Sequence, residues 1–237
     1  MGDFKPADIY VGVMELFTVL LPGAFLTAGL LFAMPATYLD VVQDRLPTNA
    51  AQWVAFGFCA YALGAFIFPA ASRLDDGYDK GYRTAEVAKK GESAYLRASD
   101  LRCGVLGPPQ ANVPASNPMN TFRWAKSTLM LRAPAAFADV QRYEAESKFF
   151  RSLTIALPIV GLLTAGRLFA GPMTEPARDA ASPCAIAVLV LIATGTLMYL
   201  AYLRYAEQRF KSTEWAYVHV IILLSGPLPA PSKTSGE

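Results

Sequence analysis

The sequence predicts an all-α integral membrane protein: four transmembrane helices, with a small, mainly helical cytoplasmic region between helices two and three. Three observations carry that expectation. Four apolar windows come close to the ~20 residues that a helix needs to cross a bilayer. Charged residues make up 17% of the 237 and apolar residues 54%, with a mean hydropathy of +0.31, whereas about 25% charged is usual in soluble domains. The basic residues also gather in two places, between windows two and three and after window four.

The first window is Leu16 to Pro35, with Ile9 as an alternative start. Its Pro22-Gly23 pair predicts a kink, because proline removes a helical hydrogen bond. Glu15 stands at its edge. A start at Leu16 leaves Glu15 at the headgroup level with Asp8, whereas a start at Ile9 makes it a candidate for ion or proton work inside the membrane. The interfacial placement is expected, since Leu16 to Pro35 is long enough alone. The second window, Ala51 to Ala71, carries no charge. The third, Leu153 to Ala170, contains Pro158, Gly161 and the candidate polar residue Arg167, which lies about a turn from the outer end and can snorkel outward. The fourth, Cys184 to Leu203, is again uncharged and ends in Tyr199, Tyr202 and Tyr205, as an interfacial aromatic belt would.

Loop 36–50 holds one basic residue, Arg45, and loop 171–183 holds one, Arg178. Arg73 follows span two directly and Arg151 precedes span three, with a further eleven Lys and Arg between them. Basic residues close to span ends stay on the cytoplasmic side. Both termini and the central region are therefore expected in the cytoplasm, and two short loops outside. The chain divides into an N-terminal hairpin (1–71), a cytoplasmic region (72–148), spans three and four (149–203), and a cytoplasmic helical extension with a disordered tail (204–237). No cleavable signal peptide is expected, since only Lys5 precedes an apolar run too long for a signal core.

Within the cytoplasmic region a helix is expected over Tyr82 to Leu101, broken or strained at Gly91. Gly104 to Asn120 reads as loop. A second helix is expected over Thr121 to Arg132 with Asn120 as its cap. Pro134 opens a third that continues into span three. Asp75 to Glu86 has acids at positions one, five and twelve of a calcium loop, but Gly77 at position three and Lys80 at position six rule that motif out. A turn cluster is expected there. Tyr217 to Leu224 is too short to span, and fits an interfacial helix end or a strand packed on the cytoplasmic region.

RYEAESKFF (Arg142 to Phe150) leads into span three, and RYAEQRF (Arg204 to Phe210) leads out of span four. On a helix Arg142 faces Glu146, Glu144 faces Lys148 and Glu207 faces Lys211. The two segments are expected to emerge on the same side and to pack as a stalk. Their charges, Arg142, Glu144, Glu146, Lys148, Arg204, Glu207 and Lys211, are the candidate surface for a cytoplasmic protein partner.

Cys59, Cys103 and Cys184 are isolated, and the single His219 lies in an apolar stretch, so neither a metal site nor a Ser/His/Asp arrangement is expected. No phosphate loop, HExxH helix or GxSxG elbow occurs. No cofactor and no nucleic-acid partner are expected at a net charge of +2. Small residues such as Gly57, Gly64, Gly161, Gly166 and Gly195 allow close helix contact. The functional expectation is a non-enzymatic, self-associating protein of the bacterial inner membrane, acting as an effector, a pore or an anchor that receives a cytoplasmic partner. A small transporter or channel subunit is the alternative. In general look the chain resembles small bacterial four-span proteins, some of which serve as membrane effectors in anti-phage defence.

Overall fold

A computed structural model of the chain describes residues 6–35, 38, 40–41, 44, 49–91, 93–107, 118–170 and 183–225, with the side chains of the first helix described from Thr18 onward. All regular structure among these residues is helical. In chain order the elements are α1 (Pro6–Ala33), α2 (Asn49–Ala71), α3 (Leu74–Tyr78), a π-helical turn (Asp79–Arg83), α4 (Thr84–Lys90), α5 (Ser93–Leu106), α6 (Pro118–Arg132), α7 (Pro134–Ala170) and α8 (Pro183–Ser225). Two compact units form. Unit 1 comprises Met1–Thr84 with Glu144–Arg209, and unit 2 comprises Ala85–Tyr143 with Phe210–Glu237.

Three described helices are long and apolar enough to cross a membrane: Asn49–Ala71, Pro134–Phe169 and Cys184–Ser225. At 1.5 Å per residue, the 23 residues of α2 span about 35 Å, against a hydrocarbon core of about 30 Å. In α1 the described apolar stretch, Thr18–Ala33, is shorter. The exterior of unit 1 shows what solvent these helices are built for. Trp53, Phe58, Phe66, Leu162, Leu189 and Ile192 are all exposed, several of them by more than 70%. Contiguous apolar surface of this kind is not left against water by soluble proteins.

With large side chains facing out, the helices of unit 1 meet through small ones. A Cβ on Gly23 would overlap the Ala60 carbonyl, and one on Gly64 would overlap the Val19 carbonyl. The two contacts run in opposite directions along the two helices, so α1 and α2 pack antiparallel with their backbones touching. Gly29 sits against Val160 of α7, and Gly161 of α7 against Thr194 of α8. Between them lies a narrow apolar core of Leu26, Ile67 and Ala156. Without a hydrophobic force between helices in lipid, close packing of this kind is what holds them. Pro22, Pro69 and Pro158 all lie inside helices that continue past them.

Unit 2 has a core of its own. Tyr95 and Ala98 from α5, Phe122, Ala125 and Leu129 from α6, Val140 from α7, and Ala216, Tyr217 and Val220 from α8 are buried together. Each large apolar member contributes about 1.5–3 kcal/mol. The Tyr95 and Tyr217 rings lie 5.7 Å apart. Tyr217 to Leu224 is thus the last two turns of α8, helical throughout, and the strand alternative is corrected. The reason is that the stretch is not isolated: Ser212, Ala216 and Val220 continue a buried stripe at four-residue spacing.

Local expectations are met at Gly91 and Pro134. Gly91 adopts φ +77, a left-handed conformation open to glycine, and its N–H closes the end of α4 on the Val87 carbonyl at 2.8 Å. Two expectations are corrected. The helix expected from Thr121 starts at Pro118, so Asn120 lies inside it and is not its cap; proline at the first helical position needs no partner for its missing N–H. The turn cluster expected over Asp75 to Glu86 is helical. There Asp79 pairs with Arg83 at 4.0 Å, Glu86 with Lys90 at 3.4 Å, and Tyr78 stacks on Tyr82 at 6.1 Å. These contacts one turn apart outweigh the poor helix propensity of Gly77 and Gly81. The loop expected over 104–120, the two short external loops and the C-terminal tail fall largely outside the described residues.

Substituting Gly64 with leucine forces α1 and α2 apart. It should lower stability in detergent by about 1–3 kcal/mol, measured as thermal unfolding. The same change at Gly57, around which nothing lies within 4 Å, should leave the midpoint unchanged.

Candidate functional site

In α7 a polar stretch leads into an apolar run without a break in the helix, and the last charge before that run is Arg151. Its helical neighbours at three and four residues are Ser147, Lys148, Thr154 and Ile155. No acid lies within reach on its own helix, yet the side chain is only 7% exposed. The partner comes from α3. Arg151 Nη1 donates to Asp75 Oδ2 at 2.8 Å and to Asp75 Oδ1 at 3.1 Å. From α8, the Tyr205 hydroxyl donates to Asp75 Oδ1 at 2.5 Å. The Arg151 guanidinium also lies over the Phe68 ring of α2, 5.0 Å from its centroid. Four helices of unit 1 therefore converge on one carboxylate.

Aromatic rings pack around this centre. Tyr78 lies 5.8 Å from Tyr205, which in turn lies 6.0 Å from Tyr202. Burial pushes the Tyr78 phenol well above its ordinary value of 10.0, and the nearby Arg209 and Arg83 only partly oppose that. Buried polar side chains continue along both helices: Ser147 and Ser152 on α7, Gln208 on α8. Among the described residues, Arg151 Nε, Ser152 Oγ, Gln208 Oε1 and the Tyr78 hydroxyl have no hydrogen-bond partner. Chemically, the arrangement neutralises a charge and fixes helices. Among the described residues no three His, Cys, Asp or Glu side chains gather to hold a metal ion.

The residues singled out in the sequence fall elsewhere. Glu15 lies in α1, outside the described side chains. Arg167 is exposed and donates from Nη1 to the Met34 carbonyl at 3.0 Å, with its guanidinium 5.1 Å from the Phe32 centroid. It thereby binds a carbonyl just past the end of α1, where helical carbonyls lack partners and a positive charge is favoured. Of the charged segments, Arg142 and Arg204 are exposed, whereas Glu146, Lys148, Glu207 and Lys211 are half-buried. Lys148 pairs with Glu144 at 3.1 Å, at the spacing expected, and Arg204 pairs with Glu207 at 2.8 Å. Glu144 is 8% exposed, so the expected charged surface lacks it. The reason is its place on one helix face with buried Ser147 and Arg151. His219 stacks on Trp215 at 5.3 Å.

Asp75, Arg151 and Tyr205 were not singled out as a group by the sequence. The available signal was Arg151 itself, a cation at the mouth of an apolar run with no local acid. No family model, no curated protein and no solved structure matches this chain.

Replacing Asp75 with leucine strands Arg151 and should destabilise the chain by about 3 kcal/mol, the low end for a broken buried pair because Asp75 keeps partial exposure. Replacing Arg151 with leucine as well should restore much of that loss, as a double-mutant cycle in detergent would read. Above pH 10 the unfolded Tyr78 phenol ionises while the folded one keeps its proton. Stability should fall as pH rises there, with a gentler slope in Tyr78→Phe.

Proposed function

We propose that the chain is a non-enzymatic, multi-pass protein of the bacterial inner membrane that anchors a helical module for a cytoplasmic partner. Four spans, cytoplasmic termini and self-association belong to this reading. The observation that carries it is the contrast between the two units: unit 1 exposes large apolar side chains and packs through glycine, whereas unit 2 encloses an apolar core of its own. The first is the pattern of helices solvated by lipid, the second the core of a small folded domain. The crowding of Lys and Arg between the second and third apolar segments supports a cytoplasmic location for unit 2.

The transporter alternative needs polar groups facing a path, or interrupted helices. The threonines of the apolar segments offer little. Thr27, Thr154 and Thr196 each donate to the carbonyl four residues earlier in their own helix, at 2.8, 2.8 and 2.9 Å. Helices α1 and α7 run on through Pro22 and Pro158. Both facts favour the anchor. An effector role, including one in anti-phage defence, is compatible with it and has no residue of its own.

Reporter domains fused at Ala111 and at the C-terminus should both report the cytoplasm, and an external signal from either overturns the topology. Crosslinking in native membranes should capture a second copy of the chain and a soluble protein. A specific solute flux that disappears on deletion, with neither capture, would favour the transporter.

A further inference from the structure

Between Asp100 and Asp139 the chain contains no Asp or Glu, although it has 19 acids in all. Helix α6 occupies the middle of this stretch with Arg123, Lys126 and Arg132 as its only charges. Its inner face is settled: Thr121, Phe122, Ala125 and Leu129 are buried in unit 2. The opposite face is not an ordinary solvated one. At 100° per residue it carries Met119, Asn120, Arg123, Ser127, Met130 and Leu131, with Lys126 at its edge. Leu131 is 82% exposed and Met130 61%. Lys126 is half-buried, with its ammonium 5.7 Å from the Phe122 ring centroid. Half-buried Trp124 borders the face.

We propose that this outer face of α6 docks on an anionic phospholipid surface. Cations interleaved with large exposed apolar side chains, with no acid to repel a phosphate, make the pattern that holds a helix in the plane of a membrane interface. The apolar side chains enter the headgroup boundary, and Arg123 and Lys126 meet the lipid phosphates. Each such cation adds to the attraction, which salt screens. The charged segments next to the apolar helices lack this property, because Glu144, Glu146 and Glu207 offset their bases. The inference rests on reading the chain as a membrane protein.

The test uses the full chain in lipid nanodiscs, with a nitroxide at Leu131→Cys in a Cys59→Ala, Cys103→Ser, Cys184→Ala background. A second preparation carries the nitroxide on native Cys59 of α2, with the other two cysteines replaced. On discs containing phosphatidylglycerol, the Leu131 label should lose accessibility to a water-soluble nickel relaxer and gain accessibility to oxygen. On purely zwitterionic discs, at high salt, or with Arg123→Gln and Lys126→Gln, the docked fraction should fall on the order of tenfold. Arg123 is exposed and Lys126 half-buried at the edge of the face, and circular dichroism should show the helical fold intact. A Leu131 label that stays in water on both lipids, beside a Cys59 label in lipid, overturns the docking and leaves the membrane reading standing. A Cys59 label in water overturns both. Protection of Leu131 only after adding soluble cell proteins also overturns the proposal, and gives the face to an acidic protein partner.

Discussion

Arg151 is a charge placed where water ends and apolar side chains begin, and unit 1 is arranged around neutralising it. An isolated guanidinium cannot be buried without several kcal/mol of lost hydration, and arginine does not escape by losing its proton. Its own helix offers Ser147, Lys148, Thr154 and Ile155, none of which can compensate. The acid therefore has to come from another element, and Asp75 supplies it from the first turn after α2. Tyr205 then adds a third hydrogen bond to that carboxylate from α8, and Phe68 covers the flat face of the cation. One polar requirement thus selects which residues of α2, α3 and α8 lie next to α7, something apolar contacts alone do poorly because they are non-directional.

The rest of unit 1 follows from a solvent that offers no hydrogen bonds. Hydroxyls return to carbonyls of their own helix, as at Thr27, Thr154 and Thr196. The carbonyl of Met34, past the last turn of α1, takes a guanidinium N–H from Arg167. Close backbone approach at Gly23 and Gly64 replaces the interdigitated large side chains of a water-soluble core. Arg167, expected to snorkel outward, is exposed. What it gains beyond water is a helix end to bind, a contact 133 residues away in sequence that no local pattern encodes.

That distinction separates what could be read in the sequence from what could not. The long apolar helices, the start of α7 at Pro134 and the break at Gly91 depend on composition, a fixed proline φ and a left-handed glycine, all local properties. The helix through Asp75 to Glu86 was hidden because two glycines and three aspartates suggest a turn, while the stacking and ion pairs that reverse the balance appear only once the helix exists. Asp75 with Arg151 was hidden because the partners lie 76 residues apart, and an acid near a span end has many candidate bases. Glu144 illustrates a further limit: the spacing to Lys148 correctly suggested the pair, but an ion pair at four residues looks the same in sequence whether it faces solvent or the interior.

Helix α8 carries two burial patterns in a single element. From Ile186 to Leu200 nearly every side chain is exposed and apolar, and only Ala187 is buried. From Tyr205 onward one face is buried, through Tyr205, Ala206, Gln208, Ser212, Ala216, Tyr217 and Val220, with charged and polar residues on the flanks. The first pattern has no preferred face, as in a helix solvated on all sides by lipid. The second has one, as in a helix laid on a packed core. An apolar stretch of eight residues near the end of such a helix has no meaning by length alone. Placed on that face, Tyr217 and Val220 become the α8 wall of the unit 2 core, and a hydropathy window too short to cross a bilayer becomes what allows a small domain to fold beside one.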